Sequence, residues 1–135
     1  MPQRLTLTSI LVRDYDEAIG FYVGKLGFEL REDTRLAADK RWIVVGPSGN
    51  AGGLLLARAN GERQFKAIGD QSGGRVFLFL ATDNFARDYA TYTERGVHFI
   101  EAPRREPYGT VAVFEDLCGN HWDLIQSVRP ARWDP

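Results

Sequence analysis

At 135 residues the chain has room for one compact domain, or for two small halves sharing a core. Its apolar share of 44% and charged share of 26% are those of a globular protein, and a formal net charge of -1 leaves no basic excess for neutralising nucleic-acid phosphates. No apolar run approaches the roughly 20 residues that a bilayer-crossing helix needs, so neither nucleic acid nor membrane is expected as a partner. Met1-Pro2-Gln3-Arg4 leads into an alternating strand, not into the core of a signal peptide, and a single cysteine, Cys118, suits a reducing, cytoplasmic compartment.

Leu5 to Val12 reads as a strand, with Ile10 and Val12 on one face and Leu7, Ser9 and Leu11 on the other. Asp14-Tyr15-Asp16-Glu17 has the spacing of a capping box, in which Asp14 accepts from an early helix N–H. Ala18, Phe21, Tyr22 and Leu26 form the stripe of one helix that Gly27 stops. Gly20 and Gly24 inside it cost about 1 kcal/mol each relative to alanine, so the helix depends on packing against a sheet. Phe28 to Arg35 is a second strand, Ala37-Ala38-Asp39-Lys40 a turn, and Trp42 to Gly46 with Gly53 to Ala59 a hairpin. This makes residues 5–59 a β-α-β-β-β module.

Residues 60–74 are polar and glycine-bearing and read as a linker, from which Phe65 and Ile68 can dock on the core. A second module spans residues 75–126. Val76, Leu78 and Leu80 share one strand face and Phe77 and Phe79 the other. Asp83 is expected to cap a helix that buries Phe85, Tyr89 and Tyr92 and stops at Gly96. Val97 to Glu101 is a strand, Pro103 to Gly109 a loop, and Thr110 to Asp116 with His121 to Gln126 the closing hairpin; residues 127–135, including Trp133, form a tail. Gly49-Asn50 and Gly119-Asn120 stand seventy positions apart, and both Asp14/Asp83 and Gly27/Gly96 sixty-nine, so one unit is written twice. Two such units make an α+β fold whose sheets are expected to form a cup, a natural small-molecule site.

Val12-Arg13-Asp14, Ala18-Ile19-Gly20-Phe21-Tyr22, Leu26-Gly27-Phe28-Glu29-Leu30 and Glu115-Asp116-Leu117-Cys118-Gly119-Asn120-His121-Trp122-Asp123-Leu124 carry a resemblance. Over about Leu5 to Gln126 the chain resembles the vicinal oxygen chelate superfamily, also called the glyoxalase/bleomycin resistance/extradiol dioxygenase superfamily. The resemblance implies a homodimer and a single domain over residues 1–135. In enzymes of this family a divalent metal is held by one His or Glu from the first and last strand of each half. Carried onto this sequence, those positions are Leu7, Gly53 or its neighbour, Phe77 and Asp123. A slip of one residue brings in Thr8, Leu54 or Val76, which are no better as ligands. Only Asp123 keeps a ligating group, so no metal and no cofactor is expected.

The candidate ligand-binding residues are Leu7, Ser9, Trp42, Phe77, Phe79, Tyr108, His121 and Asp123. Asp123 is either the anchor of a ligand amine or hydroxyl, or a general base, or a carboxylate that is solvated or paired with an arginine such as Arg75 or Arg41. Phe77, Phe79 and Trp42 either stack on a planar guest or pack between sheets. Arg104-Arg105-Glu106 with Tyr108 forms a lid or a solvated loop. Cys118 lies three residues before His121, but it takes the place of Ser48 in the first copy and reads as a small turn residue, not a nucleophile. His98 reads as a packed or surface side chain. Gly46-Pro47-Ser48-Gly49 precedes a strand, lacks a helix N-terminus for phosphate, and is a turn. The expected function is metal-independent binding of an apolar or aromatic small molecule. The alternatives are a lyase, isomerase or dioxygenase-like enzyme, for which Asp123 is the weak catalytic candidate, and a role in protein assembly only.

Overall fold

The computed structural model describes residues 2–49 and 52–128; Asn50 of the first turn and Trp133 of the tail fall outside them. The chain divides into two compact units, Met1–Gln71 and Ser72–Pro135. Each is an α+β unit built on its own mixed sheet from a β-α-β-β-β core.

In the first unit the strands are β1 (Leu7–Val12), β2 (Glu29–Ala37), β3 (Lys40–Gly46) and β4 (Gly53–Arg58), ordered β1-β4-β3-β2. β1 runs parallel to β4, and the other pairs are antiparallel. Alternation along β1 is as the sequence indicates: Ile10 and Val12 are buried while Leu7 and Ser9 are exposed. Ile10, Leu56 and Ile43 form one rung across three strands, and none is more than 1% exposed. Burying three branched side chains at one rung supplies about 1.5–3 kcal/mol each relative to exposure.

Helix α1 (Tyr15–Ile19) starts where Asp14 accepts from the Glu17 N–H at 2.8 Å, as its spacing predicts. The helix does not continue regularly to Leu26. From Gly20 to Lys25 it widens into a π-helical turn, with the Leu26 N–H donating to the Phe21 carbonyl at 3.0 Å. Two glycines weaken the α-helix here, while the turn still buries Phe21 and Tyr22. Gly27, at φ 75°, ends it in the left-handed region that glycine enters without strain.

The stretch expected as a linker carries helix α2 (Glu62–Ala67). Ile68 docks into the core at 7% exposure, but Phe65 stays half exposed at 52%. Beyond it the Gln71 side chain seals the open edge of β1, accepting from the Leu11 N–H at 2.7 Å and donating to the Ser9 carbonyl at 3.1 Å. The polar residues of this segment are thus explained by backbone groups that need partners.

In the second unit β5 (Val76–Ala81), β6 (His98–Phe99), β7 (Arg104–Glu106), β8 (Gly109–Glu115) and β9 (His121–Ser127) pair in the order β5-β9-β8-β6, with β7 also on β8. Three expectations are corrected. The segment Pro103–Gly109 is not a loop, because Arg104 to Glu106 pair with Val111 to Gly109 as a strand. Between Val97 and Glu101 the strand shortens to His98–Phe99. Helix α3 (Phe85–Glu94) is capped by Asn84, which accepts from the Arg87 N–H at 3.1 Å, and not by Asp83, which pairs with the Arg87 guanidinium one turn on.

Candidate functional site

The closing hairpin of the second unit turns on Asp116. Its buried carboxylate accepts from the backbone N–H groups of Cys118, Gly119 and Asn120 at 3.0–3.1 Å. It also accepts from the Asn120 amide at 3.2 Å and the Trp122 indole at 3.1 Å. Trp122 in turn stacks on Phe114 at 5.7 Å, and Phe114 meets Tyr92 of α3 at 5.9 Å. That chain of contacts makes the Trp122 side of β9 the helix-facing side. Successive strand residues alternate faces, so His121, Asp123 and Ile125 lie on the other. Sequence reading placed these three residues correctly but missed Asp116; an Asp three residues before a Gly-Asn turn was the signal for it.

Asp123 is flanked at its rung by Val113 of β8 and Phe79 of β5. Asp123 is 9% exposed and Phe79 is 67% exposed. The Asp123 Oδ1 atom is buried with no hydrogen-bond partner among the described residues. Arg41 is engaged instead with Asp33 at 2.6 Å and Asp16 at 2.9 Å, and Arg75 makes no ion pair with Asp123. Of the alternatives for Asp123, pairing with Arg41 or Arg75 is therefore not formed. Burial pushes the Asp123 carboxyl above the usual carboxylate range; Arg104 pulls it down and Glu101 adds to the rise. Arg104 itself donates through Nη1 to Glu101 and through Nε to Glu106, both at 2.9 Å.

Phe77 does not share the Asp123 rung. Val76 pairs with His121 and Leu78 with Trp122, so Phe77 is the extra residue of a bulge. Phe79 takes the position that counting had given to Phe77. Tyr108 sits half exposed at the β7–β8 turn.

In the first unit, Leu7 pairs with Gly53 and Ser9 with Leu55. Trp42 lines a cleft of about 480 Å³ with Tyr15, Arg41, Leu55, Arg58 and Gln64. The Arg41 and Arg58 guanidiniums lie 5.4 and 5.6 Å from the Tyr15 ring centre. Arg41 and Arg58 are both paired with carboxylates, Arg58 with Asp39 at 3.7 Å.

The four positions implied for a metal hold Leu7, Gly53, an aromatic ring and Asp123. Among the described residues no group of three or more His, Cys, Asp or Glu is placed to hold a metal ion. The side chains do not fit a four-ligand divalent centre, since only one of them has a lone pair to offer.

Comparison with known proteins agrees with this architecture. Residues 4–124 match the family model of the Glyoxalase/Bleomycin resistance protein/Dioxygenase superfamily, and the chain belongs to that family. It is 56% identical over 128 residues to an uncharacterized protein of Shewanella frigidimarina (strain NCIMB 400), covering 93% of this chain and 95% of that one. Among solved structures it is similar to UcmS2, with a TM-score of 0.81 at 32% identity over 93% of this chain and 98% of that one. It is also similar to TnmS3, an antibiotic binding protein from Streptomyces sp. CB03234, with a TM-score of 0.75 at 31% identity over 93% and 97% of the two chains. No helix among the described residues is long and apolar enough to cross a membrane.

Proposed function

We propose that this chain is a metal-independent binding protein for an apolar or aromatic small molecule. The observation that carries the reading is the Phe79–Asp123 rung, where an exposed ring adjoins a buried carboxylate whose Oδ1 has no hydrogen-bond partner among the described residues. Such a pair costs the folded protein energy, and binding a guest offsets that cost. The likeness to an antibiotic binding protein supports the same reading, as does the finding that among the described residues no three or more His, Cys, Asp or Glu are grouped to hold a metal. On this reading the ligand-contacting candidates of the second unit are Phe79, Tyr108, His121 and Asp123, with Phe77 set aside by its bulge; within the first unit the candidates are Leu7, Ser9 and Trp42. The protein acts in the cytoplasm, which suits its free cysteine, and it acts as a homodimer, which sedimentation analysis tests.

Thermal-shift screening against planar aromatic antibiotics tests the binding reading, because a ligand specific to the folded state raises the melting temperature. Shifts for several aromatic compounds, lost in Phe79→Ala, are expected; no shift across a broad panel overturns it. Metal analysis of protein purified without chelator tests the other reading. Stoichiometric Fe, Mn, Ni or Zn, retained by the wild type and lost in Asp123→Ala, moves the assignment to a lyase, isomerase or dioxygenase-like enzyme.

A further inference from the structure

We infer that the guest taken at this rung is an aromatic cation, a flat ring bearing a protonated nitrogen whose N–H reaches Asp123. This rests on the binding reading above and adds the charge of the ligand to it. The first support is the unpartnered Oδ1 of a carboxylate that is 9% exposed. A native structure retains such a group when something outside the chain satisfies it. The second support is the local charge. Three carboxylates, Asp123, Glu101 and Glu106, gather around one guanidinium. Arg104 is hydrogen-bonded to Glu101 and Glu106, so its single positive charge is shared and does not fully match that of Asp123. A ligand carboxylate or phosphate at this rung would meet like charge in a partly desolvated setting and be repelled.

The third support is Phe79. It stands next to Asp123 on the parallel ladder, and its ring is two-thirds exposed. A cation over an aromatic face is attracted by the ring quadrupole, more strongly once water is excluded. The unpartnered oxygen is sealed from solvent, so a donor reaches it by displacing a side chain from the same face. Phe79, two-thirds exposed, has room to turn its ring onto the guest. Ammonium on carboxylate and ring on ring then fix both the position and the orientation of the ligand.

Titration calorimetry with matched three-ring probes tests the inference: 9-aminoacridine as the cation, 9-anthracenemethanol as the neutral probe and anthracene-9-carboxylate as the anion. The cation is expected to bind at least ten-fold tighter than the neutral probe, and the anion weakest. Asp123→Asn, which keeps the shape and removes the charge, is expected to abolish the preference of the cation over the neutral probe; a melting curve confirms that the variant is folded. A neutral probe binding as tightly as the cation, or a preference that survives in Asp123→Asn, overturns the inference and leaves aromatic binding standing. No binding by any of the three overturns both.

Discussion

The Arg31 guanidinium lies over Gly53, so that a Cβ built on the glycine would stand 3.0 Å from Nη1 and 2.9 Å from the Val45 carbonyl oxygen. By the seventy-residue offset between the two copies, Gly53 corresponds in sequence to Asp123. Arg31 is the extra residue of a bulge between Leu30 and Glu32 in β2, and the bulge aims its side chain across the sheet. One copy of the module thus carries a cation over its rung and the other a carboxylate in it. The duplicated scaffold has diverged in charge while keeping its strands.

Arg31 also donates to the Pro47 and Gly52 carbonyls, each at 2.7 Å, across the connection between β3 and β4. Asp116 does the converse in the second unit, accepting from N–H groups of the equivalent turn. Arg31→Met, which keeps the stem and removes the donors, is expected to cost about 2 kcal/mol in urea denaturation, the range for hydrogen bonds from a charged donor. A change below the error of that measurement would show that the turn holds itself.

Asp116→Ala is expected to be more damaging, because it strands several buried donors together. A loss of about 3 kcal/mol or more is predicted from the cost of unsatisfied buried N–H groups, read as a lowered urea midpoint with the slope unchanged. Asp116→Asn keeps one acceptor oxygen and should fall between the alanine variant and the wild type.

The cap of α3 offers a test of local geometry. Asn84→Ala should cost about 1 kcal/mol, as lost N-caps do. Asp83→Ala removes an exposed pair with Arg87 and should leave the denaturation midpoint where it is. Equal losses in the two variants would contradict the cap assignment.

How far the sequence was legible follows from which forces were local. The Ile10/Val12 alternation, the Asp14 cap and the glycine stops at Gly27 and Gly96 each rest on a few adjacent residues, and each is found in the structure. Asp123 was placed on the right face of β9 by alternation alone. The bulge at Phe77 was not legible, because Val76-Phe77-Leu78-Phe79-Leu80 is apolar on both faces and any register satisfies the pattern. β7 was missed because Arg104-Arg105-Glu106 has no apolar alternation; its strand is defined by backbone pairing to β8. The roles of Arg31 and Gln71 depend on partners 16–21 and 60–62 residues away along the chain, beyond what local pattern can show.

The last prediction concerns pH. Burial raises the Asp123 carboxyl above its ordinary value, so the folded chain holds that proton more tightly than the unfolded chain does. Below the ordinary value both states are protonated and the group costs no stability. As pH rises through the ordinary and then the raised value, the unfolded state sheds the proton first, and stability falls until the folded carboxyl has also ionised. Beside burial, Arg104 on β7 lowers this carboxyl and Glu101 before β7 raises it; β5 carries no charged residue. Asp123→Asn cannot titrate there. Its melting temperature is therefore expected to gain on the wild type as pH moves from about 4 to about 7, by linkage, and differential scanning calorimetry at both values measures the gap. A gap that stays constant or shrinks would mean that the carboxylate is already compensated in the folded protein, and the case for a ligand completing it would lose its footing.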